Sequence, residues 1–252
     1  MKGIIVCVNY ADLLAITLPR NARHMSEVLV VTHPDDKKTH DVVASVPNAK
    51  VFATTAFYDH GAHFNKGLAM EQGFDVLGRD GWILIHDADV ILPDDLKTDI
   101  GLVSGFLYGM RRRILRDAGR WNPKLNWESC HISSDRVIAG YFQLFDGSHP
   151  DMQRRPWYDV TFAHAGGCDG YFQSRWRYDR KFWLPTYCLH LGERDRNWWG
   201  RTTYALDGTP PVASDAAMER YISSKGWHGR VRTDKVDEHV VVPGHQPTGY
   251  IP

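Results

Sequence analysis

The chain has 252 residues, with 30 Lys and Arg balanced by 30 Asp and Glu, and 43% of its residues are hydrophobic. These values are ordinary for one soluble globular domain or one domain with an appendage. No apolar run approaches the ~20 residues that cross a bilayer, and the N-terminus lacks a signal-peptide pattern. The sequence therefore implies no membrane partner and a cytoplasmic location. Four dispersed cysteines, Cys7, Cys130, Cys168 and Cys188, lack CxxC spacing and read as free thiols in a reducing compartment.

The elements alternate from the start. Ile4–Val8 is a β-branched run, and 11–25 has helical spacing with Pro19 inside it. Val28–Thr32 reads as a second buried strand, and the turn chemistry of His33-Pro34-Asp35-Asp36 leads into a short helix near 37–45. Ala49–Ala53 is a third strand. Residues 64–77 carry Leu68, Ala69, Gln72 and Val76 at helical offsets, and Trp82–His86 is a fourth strand. Strands alternating with helices predict a parallel, doubly wound sheet.

Beyond residue 100 the pattern is mixed. Strands are expected over 102–108, 137–145 and 182–191, and a Gly-rich turn over 166–176 opens a helix. A last helix is expected over 214–224. Charge is uneven as well. Residues 1–110 carry 9 basic against 14 acidic side chains, residues 111–181 carry 13 against 8, and residues 182–252 carry 8 of each. The basic middle third, interleaved with Trp and Tyr, fits a phosphate-facing surface or a set of solvated faces and internal ion pairs.

The segment Trp82-Ile83-Leu84-Ile85-His86-Asp87-Ala88-Asp89-Val90 carries the most chemistry. A buried strand runs straight into two carboxylates one residue apart. On extended backbone Asp87 and Asp89 share a side. Their repulsion is relieved by a divalent cation with oxygen ligands, at the strand edge where open α/β sheets bind ligands. A plain solvated turn is the alternative, since Asp is common in turns. Asp-x-Asp-x-Val also fits the haloacid-dehalogenase phosphatases, where the first Asp is a nucleophile. Those enzymes carry it on the first strand and need a late acidic pair, which is missing here.

Taken together, segments in this order resemble the GT-A-type nucleotide-sugar glycosyltransferases: Asn9-Tyr10 after the first strand, His33-Pro34-Asp35-Asp36 after the second, Asn65-Lys66-Gly67-Leu68-Ala69 on a helix, Asp87-Ala88-Asp89, and Gly166-Gly167-Cys168-Asp169-Gly170. Cys188-Leu189-His190-Leu191-Gly192 resembles the strand ending in a metal-binding His of some members. The chain is also similar to small phage-type glycosyltransferases, some of which modify hydroxymethylated pyrimidines in DNA. The resemblance implies a GT-A-like, Rossmann-like doubly wound mixed sheet as a single domain. Residues 1–205 would form it, with 1–93 as the nucleotide-binding half and 94–205 as the acceptor half, and 206–252 would be a C-terminal extension.

It further implies Mn²⁺ or Mg²⁺ and a UDP-sugar donor. Asp89, His190 and Asp87 would be metal ligands. Val8, Asn9, Tyr10, Asp36, Lys66 and Asp87 would contact the donor, with the Tyr10 ring stacked on the base. Asp169 would be the general base, or merely the cap of the helix that follows. Arg194, Trp198 and Trp199 would meet the acceptor, either DNA or a glycan. A non-catalytic nucleic-acid-binding module is the reading from a different class, and it rests on the basic third alone.

Overall fold

The structure is a computed structural model and describes residues 1–96, 101–193 and 197–211. The helix expected over 214–224 and most of the expected C-terminal extension lie outside the described residues.

The first half alternates as the sequence indicates. It comprises β1 (Lys2–Val6), α1 (Ala11–Asn21), β2 (Glu27–Thr32), α2 (Lys37–Ala44), β3 (Ala49–Ala53), α3 (Lys66–Leu77) and β4 (Trp82–His86). The second half adds β5 (Val90–Ile91), β6 (Leu107–Leu115), β7 (His131–Ile132), β8 (Phe142–Asp146), α4 (Cys168–Gln173) and β9 (Lys181–Leu191). All strands join one mixed sheet in the order β3-β2-β1-β4-β8-β6-β9-β5, with β7 paired to β6. β1 to β4 are mutually parallel, and β8 runs antiparallel to both β4 and β6.

Period-two patterning covers both faces. Ile4, Leu29, Val31, Ile83 and Ile85 pack under Met70 and Phe74 of α3. Their neighbours Ile5, Val28, Val30 and Leu84 pack against Leu14, Leu18 and Val43 of α1 and α2. This is why the strands read as continuous apolar runs rather than alternating ones. The inward stripe of α3 is Ala69, Met70, Gly73, Phe74 and Leu77. Val76, one of the residues at helical offsets in the sequence, is 56% exposed.

Two expected strands lie elsewhere. The one expected over 102–108 begins only at Leu107, because Gly101 and Gly105 take positive φ and turn the chain. It then continues through Arg111-Arg112-Arg113. Rings make that possible: Arg111, Arg112 and Arg113 lie over Trp183, Tyr141 and Tyr187, respectively. The strand expected over 137–145 begins at Phe142. All four cysteines are free. Among the described residues, no helix is long and apolar enough to cross a membrane.

Two sets of buried polar contacts fix the carboxyl edge. From α1, Thr17 Oγ1 donates to Ala88 O (2.7 Å), and Asn21 Nδ2 donates to Val90 O (2.7 Å) while its Oδ1 accepts from Leu92 N (2.9 Å). From α3, Asn65 Nδ2 donates to Val160 O (2.7 Å), and Glu71 Oε1 accepts from the amides of Trp157 (2.8 Å) and Tyr158 (2.7 Å). Gly67 permits this close docking, since a Cβ there would lie 2.4 Å from Asp159 O.

Asn21→Ala leaves the Val90 carbonyl and the Leu92 amide without their partner inside the protein. Each orphaned group costs about 1–3 kcal/mol. The urea midpoint is expected to fall at unchanged slope; an unchanged midpoint would show that Asn21 does not hold this loop.

Candidate functional site

The order β3-β2-β1-β4 places a topological switch point between β1 and β4, where open α/β sheets bind ligands. Asn9 follows β1 and Asp87 follows β4 at that edge. The chain then turns, and two residues of β5 pair with β9 in the register Val90 to His190. Leu191 N also donates to Asp89 O (2.8 Å). The short β5 therefore brings Asp89 and His190 together across 101 positions of sequence.

Lys66 lies at the centre. Its ammonium is 3.1 Å from Asp87 Oδ1 and 3.3 Å from the Asp169 carboxylate, and its side chain is 7% exposed. Burial alone would neutralise it, but the charges of Asp169 and Asp87 outweigh burial and hold its pKa above the ordinary lysine value. For Asp87 burial acts upward, and the adjacent Lys66 ammonium overcomes it, leaving the carboxyl below the usual range. For Asp169 burial prevails over Lys66, and its carboxyl is raised. The sequence left Lys66 as a phosphate contact or a solvated helix-surface lysine; it is neither exposed nor solvated.

Asp169 is in the first turn of α4, but the cap there is Gly167 at φ +90°, a backbone conformation that suits glycine. The Asp169 carboxylate accepts instead from Lys66 and from the Tyr158 hydroxyl (3.1 Å). Gly140 makes room for it, because a Cβ there would come within 2.4 Å of a carboxylate oxygen.

Asp89 has a different environment. Its Oδ1 is buried with no hydrogen-bond partner among the described residues, and its Oδ2 is 3.7 Å from His190 Nε2. Burial raises its pKa, and His190 offsets only part of that. His190 Nδ1 faces Gly192 O at 3.1 Å. With the Nδ1 proton assigned to that bond, Nε2 presents a lone pair toward a carboxylate. This is the arrangement of a metal-binding His oriented by a backbone carbonyl. Among the described residues, no three His, Cys, Asp or Glu side chains cluster so as to hold an ion by themselves.

The remaining expected contacts are spread around this centre. Val8 is buried in the core. Asn9 is exposed at φ +64°. Asp36 caps α2 through Thr39 N (3.2 Å), and its Oδ2 accepts from Asn9 N (2.6 Å) and Thr39 Oγ1 (2.7 Å). Its carboxylate therefore positions the β1–α1 loop. Trp199 is buried with its ring stacked on His164 (4.9 Å) and tilted against His63 (4.5 Å). Trp198 O accepts from Ala165 N (2.8 Å). Arg194 lies outside the described residues.

Several residues that build the site gave no direct signal in the sequence. Tyr158, Glu71 and Arg201 are isolated residues in chain order. Arg201 forms a two-pronged ion pair with Asp12 and donates to Asn9 O (2.9 Å). Thr17 and Asn21 did carry a sign: two polar residues four apart on the apolar face of a helix.

No family model matches the chain, and no curated protein matches it. Solved structures do. A mutant of Drosophila beta1,4-galactosyltransferase 7 in complex with manganese, UDP-Gal and xylobiose is 14% identical, over 87% of this chain and 79% of that one, with a TM-score of 0.47. Mannosyl-3-phosphoglycerate synthase from Rubrobacter xylanophilus is 16% identical over 77% and 68%, at 0.45. A 4-diphosphocytidyl-2C-methyl-D-erythritol synthase from Anaerococcus prevotii is 15% identical over 77% and 89%, at 0.44. Likeness this distant carries nothing about activity. The sheet order, parallel through β4 and mixed beyond it, carries the architecture. The fold is a Rossmann-like α/β fold built on one mixed sheet.

Because Lys66 depresses Asp87, the stability contributed by that carboxylate is present above the ordinary aspartate range. It is lost as pH falls through the depressed folded value. Lys66→Met is expected to raise the Asp87 pKa above its wild-type value, read by carboxyl ¹³C NMR. An unchanged titration would contradict the central place of Lys66.

Proposed function

We propose that this protein is a metal-dependent glycosyltransferase that moves a sugar from a UDP-sugar to an acceptor hydroxyl. One observation carries the reading: Lys66 gathers Asp87 and Asp169 at the switch point, beside an Asp89 whose Oδ1 is buried and unpaired. Asp89 and His190 fit a divalent cation of the Mn²⁺ or Mg²⁺ type. Such ions take few protein ligands when the substrate phosphates supply the rest. Bound there, the ion would neutralise negative charge on the departing nucleoside diphosphate.

The protein's own groups do the remainder. The ionised Asp169 carboxylate takes the proton of the acceptor hydroxyl while that oxygen bonds to the anomeric carbon. The bond from that carbon to the diphosphate oxygen breaks, and its electron pair leaves with the diphosphate. The raised pKa of Asp169 makes it a better proton acceptor than an ordinary aspartate. Tyr158 and Lys66 fix its direction. Lys66 also places a fixed positive charge near the leaving group.

The acceptor in this reading is a sugar hydroxyl or a hydroxymethylated pyrimidine in DNA. The basic third gives DNA less support than its charge count implied. Arg112 is spent on Asp135 (2.9 and 3.1 Å), Arg113 on the carbonyls of Glu128 and Cys130, and Arg175 on those of Arg154 and Pro156. A saccharide hydroxyl is therefore the acceptor we favour.

A thermal-shift panel of UDP-, GDP- and dTDP-sugars, with and without Mn²⁺, tests the reading. A UDP-sugar at about a hundred times its Kd is expected to add roughly 2.7 kcal/mol of stability, only with metal present. Asp89→Ala should abolish that shift. No metal-dependent shift with any nucleotide sugar would overturn the proposal.

A further inference from the structure

The loop after β1 carries a second feature. Tyr10 was expected to stack on a nucleotide base, but its ring is not displayed for stacking. The Arg201 guanidinium lies over the ring at 4.8 Å. The ring body packs against one apolar cluster containing Ala88 and Val90, and against another containing Ile91, Leu189 and Leu191.

The tip of that side chain is the unusual part. The Tyr10 hydroxyl is buried with no hydrogen-bond partner among the described residues, and so is Asp89 Oδ1. Buried polar atoms in native structures are nearly always bonded, and a buried tyrosine hydroxyl normally finds a partner. Asp89 is also the charge that bears most strongly on this hydroxyl, after burial itself. An unpaired donor in the loop after β1 and an unpaired anionic acceptor in the turn after β4 thus lie at the carboxyl ends of two adjacent parallel strands, without bonding each other. The group that satisfies both must accept a hydrogen bond on one side and bring positive charge on the other. A phosphate oxygen carried in with a divalent cation meets both conditions.

We infer that the Tyr10 hydroxyl is a hydrogen-bond donor to a phosphate oxygen of the nucleoside diphosphate, next to Asp89, and that its ring does not stack on the base. The backbone around it is fixed in advance. Asn9 at φ +64° gives its N–H to Asp36 (2.6 Å) and receives Arg201 on its carbonyl (2.9 Å). Arg201 is itself held by Asp12. Little of the binding free energy is then lost to ordering this loop.

The inference rests on the proposed function, and the test separates the two. Binding of UDP in the presence of Mn²⁺ is measured by calorimetry for the wild type, Tyr10→Phe and Tyr10→Leu, together with the Tm of each ligand-free protein. Tyr10→Phe is expected to weaken UDP binding at least fivefold while its ligand-free Tm holds or rises, because an unpaired buried hydroxyl has been removed. Wild-type affinity in Tyr10→Phe with loss only in Tyr10→Leu would assign the ring to stacking and overturn the inference alone. A Tm lower by several degrees in Tyr10→Phe would assign the hydroxyl a bond within the fold and overturn it likewise. No UDP binding by the wild type would overturn both this inference and the proposed function.

Discussion

One buried ammonium group ties the site together. Lys66 draws Asp87 and Asp169 onto itself from 21 and 103 positions away in sequence. Two carboxylates at a sheet edge repel, and burial makes an unpaired charge there costly. A lysine in the first turn of α3 eases both problems, since its one positive charge lies within 3.3 Å of both carboxylates and leaves the trio with a single net negative charge. The rest of α3 serves the same end. Asn65 and Glu71 hold the 157–160 segment, and Gly67 lets it approach. That segment in turn presents Tyr158 to Asp169. Glu71 is itself matched by Arg79 (2.8 Å), which lies over the rings of Phe74 and Trp157.

A second, independent tie closes the other side. Arg201 and Asp12 fasten the 201–206 stretch to the loop after β1, and Leu206 N adds a bond to Asp12 (2.8 Å). Trp199 packs with His63 and His164, just before the Gly166-Gly167 turn. The stretch from 199 to 206, which follows β9, therefore touches both flanks of the switch point. This geometry holds Asn9 and Tyr10 from one direction and the approach to Asp169 from another.

The parallel half was legible because its strands are short, β-branched and buried on both faces, leaving little ambiguity in type. β3 and β4 fall where the pattern put them. The Asp-Ala-Asp segment was legible for the same reason, as a polar break at the end of an apolar run. Beyond residue 100 the pattern failed where side chains disguise the strand. Arg111-Arg112-Arg113 reads as a charged surface, yet ring contacts and the buried pair with Asp135 place it in β6. The pairing of β5 with β9 spans about 100 residues and has no local signature, so the meeting of Asp89 with His190 rested on resemblance alone. Lys66 was named, but its burial was not foreseen, because a lysine at the start of a helix is ordinarily solvated. Tyr158 and Arg201 act only through folding and left no trace in spacing.

We propose that Lys66, by pairing with both Asp87 and Asp169, leaves Asp89 and His190 to receive a cation together with a nucleoside diphosphate. Crystals soaked with Mn²⁺ and UDP test it directly. An anomalous manganese peak within coordination distance of Asp89 and His190, with phosphate density beside it, is the result expected. Manganese bound elsewhere, or UDP seated away from the carboxyl ends of β1 and β4, would contradict the account.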